Sequence, residues 1–400
     1  MTGSAPAAAP LAPVPGAGRG TIAALGVVQI LAWGSSYYLL AVLAPAIAAD
    51  TGWPLQWVMG AMSLGLLVAA LAAPRVGVLI GARGGRPAMT AGCGLLALGL
   101  ATLGLAPNLA VFALGWCVMG AGMAACLYDA AFATLSRIHG AAARRAITAL
   151  TLWGGFASTV CWPISAFLEA HLGWRGTCLT YAAIHLGVCM PLLFLALPAP
   201  LPKPAPRARG EAGRTVVLVG AERTRFLLLA GIITATGTIT AIISIQLLML
   251  LQAQGVTLAA AVAAGTLIGP AQVFARLVEQ ASGGRHHPLW TMTGAVAFMG
   301  TGVGLLAAGF PVVAVALVAY GAGNGIFSIA KGTAPLALLG AERYPVLSGR
   351  LARPALLAQA LSPSVAAYLL AAGGADAVFA ALVGLAVTAA VLLAVLWRLR

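Results

Sequence analysis

Charge is what this sequence has least of. Of 400 residues only 8% are charged and just eight are acidic, where an ordinary soluble domain carries about a quarter charged residues. That scarcity, with 61% hydrophobic residues and a mean hydropathy of +1.00, excludes a water-solvated globule. Other absences narrow the class further. The apolar runs show no two-residue alternation and are far longer than strands, which excludes a β-barrel. There is no Cys-x-x-Cys pair, and all six cysteines fall inside apolar runs. They read as small packing residues, not as a disulfide framework or zinc site. No phosphate-cradling Gly-rich loop with Lys-Ser/Thr is present. The five histidines, His139, His171, His185, His286 and His287, are scattered, so neither a metal centre nor an enzyme with clustered catalytic groups is expected, and no cofactor is implied.

What is present is oil-like sequence in pieces long enough to cross a bilayer, which takes about 20 apolar residues. The runs lie near 21–49, 55–74, 88–106, 109–136, 146–168, 176–198, 226–251, 258–280, 289–309, 311–330, 354–372 and 377–397. Helices satisfy their own backbone groups in lipid, so the expected fold is an all-α integral membrane protein of twelve transmembrane helices. The net charge of +14 would suggest nucleic acid in a soluble protein, but placement decides otherwise. With twelve spans and both termini in the cytoplasm, all of the 22 Lys and Arg residues except Arg175 fall on the cytoplasmic side, as the positive-inside rule requires. The expected location is the inner membrane, with lipid as surroundings and no nucleic-acid partner.

Residues 1–20 are Ala, Pro and Gly with one arginine, and should form a disordered cytoplasmic N-terminus. A Pro-rich, basic stretch, 199–225, reads as a cytoplasmic linker between six-helix halves at 21–198 and 226–400. An internal echo supports the division. "RVGVLIGARGGRP", Arg75 to Pro87, connects the second and third spans, and "RLVEQASGGRHHP", Arg276 to Pro288, occupies the same place in the second half.

Two pseudo-symmetric six-helix halves joined by a cytoplasmic linker describe the major facilitator architecture. The first connection resembles that superfamily's Gly-x-x-x-Asp-Arg-x-Gly-x-Arg signature, with Gly77, Gly84 and Arg86 matching and Gly81 and Ala82 replacing the Asp and Arg. The resemblance implies a coupling or gating role for Arg75, Gly77, Gly84 and Arg86, without the family's acidic latch. The chain is nearest to the monocarboxylate and oxalate:formate branch. Those families carry Asp-x-x-x-Arg in the eighth helix, where this chain has Gln272 and Arg276, and the arginine is implied to bind substrate carboxylate. The segments "DTGWPLQW" and "LGWRGTCLTYA" resemble the same families, whereas their helix-one lysine is missing.

Ionisable residues inside a span are costly and so point to function. Asp129, in the fourth span, is expected to couple or gate, or else to pair with Arg137 or Arg144. Arg276 stays charged when desolvated and can grip a carboxylate through two parallel hydrogen bonds; the alternative is that it snorkels and pairs with Glu279. Pro270 should bend the helix upstream of it. Tyr37, Tyr38, Asn324, Gln246 and Gln272 complete the expected substrate site. Lys331 and Arg353 read as snorkelling residues near the boundary, and His185 as a packing histidine or proton site.

The expected function is secondary active transport of a small, monocarboxylate-like organic anion by alternating access, with an ion or proton as a second cargo, in a monomer. Drug efflux is the alternative. It is disfavoured because the Gly-Pro-x-x-Gly-Gly of drug antiporters reads "CWPISAF" here, keeping Pro163 but none of the glycines. A membrane enzyme or transporter-like sensor is a remote third reading.

Overall fold

The computed structural model describes residues 19–199, 218–282 and 285–399. Most of the expected disordered N-terminus, most of the linker and the Gly283-Gly284 pair of the second echo lie outside them, while Arg19 and Gly20, expected to be disordered, begin the first helix. The described residues form helices and short turns, with no strand among them. In chain order the helices are α1 (Arg19–Gly34), α2 (Leu39–Thr51), α3 (Leu55–Arg83), α4 (Gly85–Gly104), α5 (Leu109–Cys126) and α6 (Tyr128–His139). They continue as α7 (Ala143–Gly155), α8 (Ala157–Ile184), α9 (Met190–Ala196), α10 (Gly220–Ala253) and α11 (Leu258–Gly265). The last four are α12 (Ile268–Ala281), α13 (Pro288–Ala307), α14 (Val313–Leu339) and α15 (Tyr344–Arg398).

Nine helical stretches among the described residues are long and apolar enough to cross a membrane. Two of them, Ala143–Ala196 and Tyr344–Arg398, run 54 and 55 residues. At 1.5 Å per residue each would be about 80 Å long, well over twice the roughly 30 Å hydrocarbon layer. Each is divided by glycine: Gly173 (φ 67°, ψ 175°) in the first, and Gly373 followed by Gly374 (φ 66°, ψ −166°) in the second. A positive φ at these points is open to glycine at little cost.

The connection read from sequence as a loop from Arg75 to Pro87 is mostly helix. α3 continues to Arg83, and the turn is confined to Gly84 (φ 84°) before α4 begins at Gly85. Nothing between Pro74 and Arg83 breaks a helix, so the arginines punctuate the sequence without interrupting the backbone. Arg276 is likewise helical, within α12. The bend expected from Pro270 falls earlier, at Thr266–Leu267. Pro270 then occupies the first turn of α12, where its missing N–H costs no helical hydrogen bond.

Two apolar clusters hold the bundle. One gathers α1 to α9 around Phe112, Trp116 and Leu100, joined by Leu336, Tyr344 and Ala360; the other gathers α10 to α15 around Leu250, Tyr320 and Phe379. Lipid is as apolar as these side chains, so close packing, not the removal of water, supplies most of the attraction. Small residues make that closeness possible. A Cβ on Gly65 would stand 2.8 Å from the Trp116 carbonyl oxygen, and one on Gly122 2.8 Å from the Leu96 amide nitrogen.

Candidate functional site

The fourth span is broken. Between α5 and α6, Leu127 is extended (φ −75°, ψ −174°), which leaves the Cys126 carbonyl without its helical donor. The fully buried Gln29 side chain fills that need, donating Nε2–H to Cys126 O at 2.6 Å. Irregular backbone at membrane depth is tolerated where protein satisfies it. The break places Tyr128 and Asp129 in the first turn of α6, where the helix dipole favours a carboxylate.

Asp129 faces the other half of the molecule. Its Oδ1 lies 3.6 Å from Nζ of Lys331 on α14, and that ammonium stands 5.8 Å from the Tyr128 ring centroid. The Asp129 side chain is 36% exposed and that of Lys331 21%, so the pair is only partly desolvated. Both line a cavity of about 90 Å³ between the halves, with Trp33, Tyr37 and Tyr128 on one side and Phe327, Tyr344 and Gln359 on the other. One water needs roughly 10–15 Å³ of such space, so there is room for a small organic molecule. Pairing of Asp129 with Arg137 or Arg144 is not what forms, and Lys331 reaches Asp129 instead of snorkelling to the boundary.

Arg276 stands beside this cavity and does not line it. It is 5% exposed. Nε donates to Gly325 O at 3.3 Å, Nη1 crosses to Thr151 O on α7 at 3.2 Å, and Nη2 donates to Gln272 Oε1 at 3.3 Å. Two glycines admit it: a Cβ on Gly155 would collide with the guanidinium, and one on Gly325 would lie 2.8 Å from the Gln272 Cα. No carboxylate is paired with Arg276 among the described residues. Glu279, its alternative partner, instead takes Arg144 at 3.5 Å and the Thr291 hydroxyl at 2.7 Å. In and beside the cavity, then, Lys331 is paired with Asp129 while Arg276 has only neutral acceptors, an excess of one positive charge.

The remaining expected site residues are not all brought together. Tyr37 lines the cavity. Tyr38 packs in an aromatic group with Tyr37 (5.7 Å), Trp33 (6.1 Å) and Trp162 (6.1 Å), at a break between α1 and α2 that the sequence marks only as Gly34-Ser35-Ser36. Asn324 accepts the Thr240 hydroxyl at 3.1 Å, and Gln246 donates to Pro363 O at 3.2 Å with its Oε1 unpartnered. His185 is buried, 2.7 Å from the Ser35 hydroxyl. Of the signature residues, Gly77 is packed against the Pro345 backbone, with Gly349 Cα 3.5 Å from where its Cβ would be. Arg86 stacks 3.7 Å over the Phe194 ring, and Arg75 is exposed, reaching only Leu71 O at 3.4 Å. Gln29 and Trp33 were missed because nothing in a single apolar run marks which neighbour's break they serve. Lys331 was underweighted because its partner is 202 positions away.

Comparisons with known proteins match this architecture. The Major Facilitator Superfamily profile matches residues 25–351. The crystal structure of the human organic anion transporter MFSD10 superposes with a TM-score of 0.76 at 18% identity, covering 94% of this chain and 99% of that one. The Escherichia coli fucose:proton symporter FucP does so with a TM-score of 0.71 at 15% identity, covering 95% and 98%. The proton:xylose symporter XylE bound to 6-bromo-6-deoxy-D-glucose gives 0.70 at 11%, covering 95% and 94%. No curated protein sequence matches. With the profile spanning most of the chain over a bundle of long apolar helices, the protein belongs to the Major Facilitator Superfamily and is a multi-pass membrane transporter.

Proposed function

We propose that this transporter moves a small, monocarboxylate-like organic anion across the inner membrane by alternating access, as a monomer. The observation that supports the reading is an excess of positive charge: buried Arg276 is paired with no carboxylate among the described residues, while Lys331 takes Asp129. A monovalent anion is the ligand that neutralises the set, and a charge in a low-dielectric interior is costly until it is neutralised. The organic anion transporter among the similar structures supports the same class.

We count twelve crossings by taking the two longest helical stretches as divided at Gly173 and Gly373–Gly374, and α11 with α12 as one broken span. The alternation then sets both termini, the linker and the arginine-rich helix ends in the cytoplasm. In that frame the halves are closed on the cytoplasmic side. Arg276 bolts them through Thr151 O. When the halves part there, this bond breaks, and the guanidinium is freed to take the carboxylate with Gln272 beside it. A ligand shifts such an equilibrium only through unequal affinity for the two states, and this geometry supplies the inequality. Tyr37 shapes the cavity with Tyr38 packed behind it, Asn324 and Gln246 are substrate contacts to be reached in another state, and Asp129 gates by exchanging partners, with a proton or ion as second cargo. Arg75, Gly77, Gly84 and Arg86 serve coupling or gating.

Counterflow in proteoliposomes tests this. Labelled monocarboxylates should exchange, and Arg276→Gln should abolish the exchange. Exchange of sugars alone would overturn the anion reading, and exchange of lipophilic cations alone would put efflux in its place.

A further inference from the structure

The cavity's walls say more about the cargo than its charge does. Aromatic rings enclose it from both halves: Trp33, Tyr37 and Tyr128 on one side, Phe327 and Tyr344 on the other. Of its four hydroxyls, those of Tyr37, Tyr128, Tyr344 and Ser348, two are committed to backbone carbonyls. Ser348 donates to Pro345 O at 3.0 Å and Tyr128 to Thr151 O at 3.3 Å. A hydroxyl-rich ligand would leave its own polar groups unpaired, which burial penalises. An aromatic ring loses nothing there and gains offset or edge contacts.

One wall has a place for one carboxylate. Lys331 and Asp129 are 3.6 Å apart, longer than the 2.7–2.9 Å of a well-formed charge-assisted hydrogen bond. Asp129 is exposed enough to keep water if its partner is taken. A second carboxylate on the same ligand would find no unused cation in the cavity, since Arg276 is bonded behind it. A cationic ligand would meet the fields of both Lys331 and Arg276.

We infer that the cavity receives an aromatic monocarboxylate, its ring among these aromatic side chains and its carboxylate on Lys331 in the place Asp129 now holds. This rests on the organic-anion reading above and names both the substrate class and the residue that meets it in this state. Lys331 is thereby a binding residue and Asp129 its competitor.

The test is thermal stabilisation of the purified full chain in detergent by benzoate, lactate, phthalate, fucose and benzyltrimethylammonium, titrated for wild type, K331Q, K331R and D129N. Benzoate should stabilise wild type. Its apparent affinity should fall by about tenfold or more in K331Q, the loss of a charged hydrogen-bond donor, and persist in K331R, which guards against simple misfolding. In D129N it should rise, because a competing carboxylate is gone; a merely structural ion pair would not produce that gain. Lactate or phthalate binding as tightly as benzoate would overturn the aromatic class and leave anion transport standing. Benzoate binding indifferent to K331Q would overturn the role of Lys331. Stabilisation by the cation or fucose alone, or by none of these, would defeat this inference together with the anion reading beneath it.

Discussion

The two ends of the bundle are held in different ways. At the end bearing Arg144, Arg343 and Arg398, bonds cross between the halves: Arg144 to Glu279 and to the His286 carbonyl, and Ser136 to Ala341 O at 3.2 Å. At the opposite end the polar ties found among the described residues stay within each half. Asp50 accepts Trp174 Nε1 at 2.8 Å and Arg175 donates to Ala106 O at 2.8 Å, all in the first half, while Gln254 donates to Leu306 O at 2.9 Å in the second. α15 records the same contrast along its length. Tyr344, Leu347 and Leu351 are buried, whereas Leu361, Val365 and Tyr368 are 63%, 52% and 73% exposed. One end is a seam and the other is not. The seam also rests on close backbone approach, Gly77 and Gly349 between α3 and α15, together with a few polar bonds, a combination that can open without exposing a large unsatisfied surface.

The contrast can be broken most severely at Gly349, where a Cβ would lie 2.9 Å from the Ala73 carbonyl carbon and 3.0 Å from Pro74 Cα. Gly349→Leu should prevent the seam from closing and destabilise by about 1–3 kcal/mol. Alkylation of a cysteine placed at Ser348 by a membrane-impermeant reagent from the basic side should rise sharply. Constant alkylation would show that the seam does not depend on this approach. Arg276→Gln comes next, with a loss of about 1.5–3 kcal/mol for the charged hydrogen bonds to Thr151 and Gly325 carbonyls, read as a fall in melting temperature. The Asp129–Lys331 pair, being partly hydrated, should show a coupling energy of about 1 kcal/mol or less in a double-mutant cycle of D129N and K331Q. Ser136→Ala should cost about 0.5–1 kcal/mol. Val365→Ala, at the unsealed end, should stay within about 0.5 kcal/mol of wild type, which sharpens the comparison as its control.

Much of this was legible in the residues. The low charge and long apolar runs required a helical membrane protein. Asp129 and Arg276 stood out because ionisable groups inside a span are rare and expensive. Their partners were not legible. The nearest basic residues in sequence to Asp129 are Arg137 and Arg144, and the nearest acid to Arg276 is Glu279, yet none of these pairs forms. Side chains within one helix lie along its axis, while a groove between halves brings together residues some two hundred positions apart.

The sequence by itself determined that the chain lies in a membrane, that it is helical, and which few polar groups must find partners there, because lipid offers no hydrogen bonds and the chain's composition admits no other solution. Only the tertiary structure decided who those partners are. It broke the fourth span at Leu127 and let Gln29 repair the break, because a lost helical hydrogen bond can be replaced only by a group that packing delivers. It also drew Lys331 to Asp129 and set Arg276 across the seam, since pairing depends on which helix faces meet, and that is fixed by close packing of small residues, not by order along the chain.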